Sequence, residues 1–223
     1  MSTPSTGSFP RRVARRLVRT PRRLLASRTL WPIVFTVRNV WCSRSLSPFT
    51  ATELCGLQVG PMQPSHLGEI ELLYRDMTEG EKLNRTLRLL LKMLGRRLCL
   101  TAVDPKSGRV VAMGIYYFNE RDRIERSVHA GYSMVSPDFR GCGIGTALRR
   151  RALEHFQQSG LQGMSSRITL SNVASWKVAQ RNGFVVRDHY YDQAMQEQRA
   201  YLWCDLSQHA PPETPLHDPP PAT

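Results

Sequence analysis

The chain has 223 residues, and its 31 Lys and Arg against 18 Asp and Glu leave a net charge of +13. Residues 1–52 hold ten Arg, no Lys and no acid, while residues 53–223 hold 21 basic and 18 acidic groups. The excess therefore belongs to an N-terminal arm and excludes a uniformly basic domain.

Five scattered Cys, with no CxxC pair and no His at ligand spacing, argue against structural zinc and a disulfide framework, so no metal is expected and a reducing, cytoplasmic setting is. No apolar run reaches the roughly 18 residues of a membrane-crossing helix. Between Arg11 and Leu25 the pairs Val13-Ala14, Leu17-Val18 and Leu24-Leu25 alternate with Arg pairs, and Leu30-Trp31, Phe35 and Trp41 follow. The pattern suits a basic amphipathic helix (residues 11–41) on an anionic membrane surface. It also suits an organelle transit peptide, nucleic-acid contact resting on charge alone, or a solvated arm with no role. Residues 1–54 are read as this arm, 55–206 as one folded domain, and 207–223, with six Pro, as a disordered tail.

Within the domain, Leu57–Met62 reads as a strand and Pro64 as the opening of a helix with Leu67, Ile70, Tyr74 and Met77 on one face. After the break at Thr78-Glu79-Gly80, Glu81–Leu94 is a second helix. Arg97–Val103 and Val110–Asn119 are apolar almost throughout, as expected of a hairpin covered on both faces. A charged connection, Glu120 to Arg126, leads to strand Ser127–Val135, a glycine loop and a helix. Strand Met164–Leu170, helix Asn172–Asn182 and strands Phe184–Tyr190 and Arg199–Leu206 complete an α/β fold: a central mixed sheet with helices on both faces.

In Arg140-Gly141-Cys142-Gly143-Ile144-Gly145-Thr146, three alternating glycines precede a helix whose inner face is Ile144, Leu148, Ala152 and Phe156. Converging backbone N–H groups and the helix N-terminus suit a phosphate or pyrophosphate. No Gly-Lys-Ser/Thr ends the loop, and no first strand with a following acidic strand end frames it, so it is neither a Walker loop nor a dinucleotide fingerprint.

Arg140-x-x-Gly143-x-Gly145 after a strand ending in Val135 resembles motif A of the GNAT superfamily of N-acetyltransferases. Asn172-Val173-Ala174-Ser175 followed by Asn182-Gly183-Phe184 is similar to its motif B. The resemblance spans Leu57 to Leu206 and implies the GNAT-like acyl-CoA N-acyltransferase fold, with acetyl-CoA as co-substrate between splayed parallel strands. It implies that Arg140 through Thr146 hold the pyrophosphate, that Ser133, Met134 and Val135 pair with pantetheine, and that Asn172 and Ser175 flank that arm.

The resemblance also implies direct attack of an amine on the thioester, with a base to take its proton. His129 occupies the position where relatives place a carboxylate, opposite in parity to Val128, Ala130, Tyr132 and Met134; Glu120 and Glu125 are alternatives. Where relatives carry a Tyr acid this chain has Ala179, so Tyr190, Tyr191 or Tyr201 substitutes, Tyr190 first, or the thiolate leaves unassisted. Loops 78–84 and 192–198 are expected at the acceptor. The implied function is acetyl transfer to an amine. Its alternatives are longer-chain N-acyl transfer at a membrane surface and a non-catalytic acyl-CoA-binding module.

Overall fold

The structure, a computed structural model, describes residues 30–78 and 80–207. The amphipathic pattern of residues 11–25 and nearly all of the Pro-rich tail lie outside the described residues. Helix α1 (Trp31–Ser43) leads to strands β1 (Thr52–Leu54) and β2 (Leu57–Pro61). A 3-10 turn at Pro64–His66 opens helix α2 (Leu67–Met77), and α3 (Arg85–Leu98) precedes the hairpin of β3 (Cys99–Val103) and β4 (Val110–Tyr117). Helix α4 (Glu120–Glu125), strand β5 (Ser127–Val135), a 3-10 turn (Pro137–Phe139) and helix α5 (Ile144–Gln158) follow. Strand β6 (Gly163–Thr169), helix α6 (Val173–Arg181) and the hairpin of β7 (Val185–Asp192) and β8 (Glu197–Asp205) complete the fold.

All eight strands join one mixed sheet in the order β1-β2-β3-β4-β5-β6-β8-β7, antiparallel except for β5 beside β6. The central strands β3 and β4 are buried at almost every position because both faces are covered. Helix α5 covers one face, where Phe156 meets Tyr116 with ring centroids 5.1 Å apart. Helices α1 and α2 cover the other, where Phe35 meets Tyr117 at 5.5 Å and Tyr74 meets Tyr132 at 5.6 Å. Among the described residues no helix is long and apolar enough to cross a membrane.

Several boundaries differ from the sequence expectation, each for a local reason. Helix α3 starts at Arg85, not Glu81, because Asn84 takes the N-cap and accepts the Leu87 N–H at 2.8 Å. It also runs on through Arg97, which shortens the next strand. The charged connection is helix α4: Asn119 and Asp122 form a reciprocal capping box, with the Asn119 N–H donating to Asp122 Oδ2 at 3.0 Å. Packed structure also begins upstream of residue 55. Helix α1 turns Phe35, Asn39 and Ser43 inward, and the Asn39 amide accepts the Phe118 N–H at 2.8 Å and donates to its carbonyl at 3.2 Å.

One irregularity sets the geometry of the site. Ile115 pairs with Tyr132 and Tyr116 with Ala130, so Gly131 is one residue too many and forms a bulge in β5. Alternate residues of β4 share a face, and Tyr117, Ile115 and Met113 stand opposite His129, Tyr132 and Met134. His129 therefore shares its face with Tyr132 and Met134, which corrects the parity expected from unbroken alternation. Glycine is required at the bulge, since a Cβ at 131 would sit 2.0 Å from Tyr117 Cε1.

Candidate functional site

Strands β5 and β6 pair only from Ser127 with Gly163 to Ala130 with Ser166. Beyond that fork β5 stays with β4 while β6 leaves with β8, pairing Ile168 with Ala200 and Thr169 with Arg199. A V-shaped slot opens there. Along it, the backbone of Gly131 to Val135 has no strand on its outer edge among the described residues, and a free edge is a template for an extended amide chain.

At the mouth of the slot, Gly141 and Gly143 hold φ of 85° and 83°, which glycine adopts without strain. The first intrahelical bond of α5 runs from the Ala147 N–H to the Gly143 carbonyl, so the N–H groups of Ile144, Gly145 and Thr146 precede it. No acid stands in that turn and no side chain caps it. A Cβ at Gly145 would make ordinary contact with Val135 Cγ2 at 3.5 Å, so the protein itself tolerates one, and glycine there keeps the mouth open. The cavity at the mouth, about 490 Å³, is lined by Ser133, Val135, the loop, Asn172 and Ser175, with Lys177 and Arg181 of α6 beside them. Open N–H groups, a helix N-terminus and the basic side chains of Arg140, Arg149, Lys177 and Arg181 fit a pyrophosphate.

The other expected donor residues take distinct places. The Arg140 side chain is braced over the loop, its Nε donating to the Val135 carbonyl at 3.2 Å. Cys142 turns its thiol to the Phe139 carbonyl at 3.0 Å, which leaves only its main chain for a ligand. Asn172 caps α6 by accepting the Ser175 N–H at 3.0 Å while still lining the cavity. Met134 lines a second cavity of about 190 Å³ in the slot itself, with Ser166 to Thr169, Arg149 and Arg199. A further cavity of about 680 Å³ between Met62 and the end of α3 lies away from the slot, and no acid, His or hydroxyl lines it.

His129 lies just inside the fork and is 3% exposed. Its Nδ1 is 2.8 Å from Ser165 Oγ, which is 2.7 Å from Asp122 Oδ1, and Ser127 Oγ donates to the same oxygen at 3.1 Å. A carboxylate only accepts, so the Ser165 proton goes to Asp122 and the Ser165 oxygen accepts the His129 Nδ1–H; the basic lone pair is on Nε2. Burial pushes the imidazole down to about 4, with Arg167, Arg149 and Arg199 reinforcing the shift and Asp122 opposing it. The ring is neutral at pH 7.

Tyr190, expected as the acid, is held on the outermost strand β7 opposite Arg199, separated from the slot by β6 and β8, and lines neither cavity. Glu120 and Glu125 belong to α4, where Arg38, Arg123 and Arg121 pair with them.

Sequence reasoning missed Asp122, Ser165 and above all Arg149. Arg149 is 7% exposed and lines both cavities, and its Nε and Nη1 have no hydrogen-bond partner among the described residues. It begins the run Arg149-Arg150-Arg151, which reads as a solvated face. The available signal was its place one helical turn after Gly145, on the side of α5 that faces the slot.

Residues 67–184, more than half of the chain, match the acetyltransferase (GNAT) family model. No curated protein sequence matches the chain. Among solved structures, a chain of the NatC complex bound to Gag peptide and CoA is 18% identical with a TM-score of 0.59, covering 67% of this chain and 98% of that one. The yncA product of Salmonella typhimurium, solved with its cofactor acetyl-CoA, is 17% identical with a TM-score of 0.57 over 70% and 98% of the two chains. The ribosomal-protein-S18-alanine N-acetyltransferase of Escherichia coli is 15% identical with a TM-score of 0.53 over 68% and 95%. At these identities the likeness is one of fold.

Proposed function

Since this chain belongs to the acetyltransferase (GNAT) family, we propose that it transfers an acetyl group from acetyl-CoA to an amine by direct attack on the thioester. The observation that carries this reading is the slot between β5 and β6, with open main-chain edges along one side and the glycine loop at its mouth. The N–H groups of Gly141 to Thr146 receive the pyrophosphate, and the edge from Gly131 to Met134 receives the amides of pantetheine. The thioester then lies by the fork, next to His129.

An amine must be neutral to attack, and the new amide must lose a proton as the carbon–sulfur bond breaks. His129 Nε2 is proposed to take that proton, directly or through water, while the Ser165 and Asp122 chain fixes the tautomer. The thiolate, with an ordinary thiol pKa of about 8.5, needs no side-chain acid to leave, so Ala179 is no obstacle. Calorimetry and a thiol-release assay test the reading. Acetyl-CoA is expected to bind and to yield free thiol with an amine, and absence of both sinks it.

A second element, peripheral contact with an anionic membrane, is favoured by one observation. Leu30, Ile33, Val37 and Trp41 recur at helical spacing on the outer face of α1, with Trp31 beside them, and all are exposed. Eight Arg precede that helix in residues 1–29. Binding to phosphatidylserine vesicles is expected, and Val37→Glu with Trp41→Glu should abolish it. Binding that survives both changes overturns this element.

A further inference from the structure

The cavity in the slot is small and polar, and its charge is one-sided. Arg149, Arg167 and Arg199 all line it, and no Asp or Glu does. Arg199 is partly neutralised, with Nη1 3.1 Å from Asp192 Oδ2, but its Nε is buried without a partner among the described residues. Neither Arg149 nor Arg167 is paired with a carboxylate among the described residues. Burying a guanidinium without a counter-charge is costly, and the Phe184 ring 5.4 Å from Arg149 carries no charge, so a buried Arg beside a cavity with no carboxylate points to a missing anion.

The three cations approach from two sides. Arg149 comes from α5, on the face of Tyr116, beneath the path proposed for CoA. Arg167 alternates with Ser165, which bonds His129, and Thr169 stands opposite Arg199, so Arg167 and Arg199 belong to the opposite face with Tyr132. A volume of about 190 Å³ suits a small group, and the planar fork of Arg matches a carboxylate best.

We propose that the reacting end of the slot recognises a carboxylate, so that one of the two substrates carries a carboxylate close to the acyl-transfer centre. The inference rests on the acetyl-transfer reading and narrows its substrate class. Two sources supply the same chemistry: a dicarboxylic acyl group on CoA, met by Arg149, or the α-carboxylate of an amino acid acceptor, met by Arg167 and Arg199. Either would also offset the positive field on His129 while the substrate is bound, which makes the base stronger when it is needed.

The full chain is titrated with acetyl-CoA and succinyl-CoA by calorimetry. It is then assayed with acetyl-CoA against glycine, alanine and phenylalanine and against their carboxamides. A donor carboxylate predicts succinyl-CoA bound at least about tenfold tighter than acetyl-CoA, with Arg149→Gln erasing the difference. An acceptor carboxylate predicts kcat/KM at least about tenfold higher for the free amino acids, with Arg167→Gln erasing it. If Arg149→Gln does not fold, Arg149→Lys keeps the charge without the fork and should weaken the preference; Arg167 is exposed and tests the acceptor side independently. Acetyl-CoA binding with no preference in either arm, or a preference that survives these substitutions, overturns the inference alone. Failure of both thioesters to bind overturns the acetyl-transfer reading and the inference with it.

Discussion

The mouth of the slot and its floor are built from different parts of the chain's chemistry. At the mouth the groups proposed to bind are main-chain N–H groups, set by Gly141 and Gly143 at positive φ and by the unbonded first turn of α5. At the floor the proposed groups are side chains: Arg149, Arg167 and Arg199 around the cavity, and His129 buried beside it on its Ser165–Asp122 chain. A main-chain site is written into glycine spacing, whereas a side-chain site depends on which residues from distant strands arrive together.

If the two regions are separable, substitution of His129 at the floor should spare acetyl-CoA binding and those at the mouth should spare the buried network. The largest expected effect is at the floor. His129→Gln should lower kcat by about 10²- to 10⁴-fold while the Kd for acetyl-CoA stays unchanged, and a weakened Kd would break the separation. At the mouth, Gly143→Glu places a carboxylate and a strained backbone where an anion should sit. Acetyl-CoA affinity should fall on the order of a hundredfold in calorimetry, and the strained backbone should lower the melting temperature by a few degrees, roughly 2–4 °C per kcal/mol.

Gly131 joins the two regions. Gly131→Ala forces a Cβ into the Tyr117 ring and should cost about 1–3 kcal/mol in denaturant unfolding; in a Tyr117→Ala background the same change should cost less, a coupling read from the double-mutant cycle. Asn172→Ala removes an N-cap and is expected to cost about 1 kcal/mol, together with a modest loss of acetyl-CoA affinity if the side chain also meets the donor.

The pH dependence of stability reads the buried imidazoles directly. His129 and His155 titrate near 4 in the folded state, driven down by burial, against about 6.5 when unfolded. The unfolded chain therefore binds more protons between those values, so their contribution is full above about pH 6.5 and is lost as the pH falls toward 4. The melting temperature should decline over that window, with a shallower slope in His129→Gln. The rate should show no inflection near 6.5 and should follow the ionisation of the acceptor amine.

The mouth was legible in the sequence because its signal is local. Strand Ser127–Val135, the glycine loop and the helix behind it fall where the residues alone place them, and they belong to one continuous segment. The floor was legible only in part. His129 was singled out by position; a bulge is expected in this strand and Gly131 is a residue type that often marks one, but neither fixes its place, so unbroken alternation put His129 on the wrong face. Asp122 reads as one charge among many in a polar connection until the capping box turns that connection into α4 and buries it. Arg149 was hidden by its two Arg neighbours, since a charge run normally faces solvent and only packing tells which member turns inward.

Asn39 holds both polar groups of Phe118 at the end of β4, so α1 is locked to the strand beside β5 and does not hang from it as a loose arm. The outer stripe of α1 and the slot consequently turn together as one rigid piece. Any surface that takes up the stripe would set the bearing of the slot as well, fixing the side from which a second substrate arrives. Phe35 against Tyr117 and Arg38 on Glu120 hold the same seam, so loosening that single amide would weaken the bearing without freeing it.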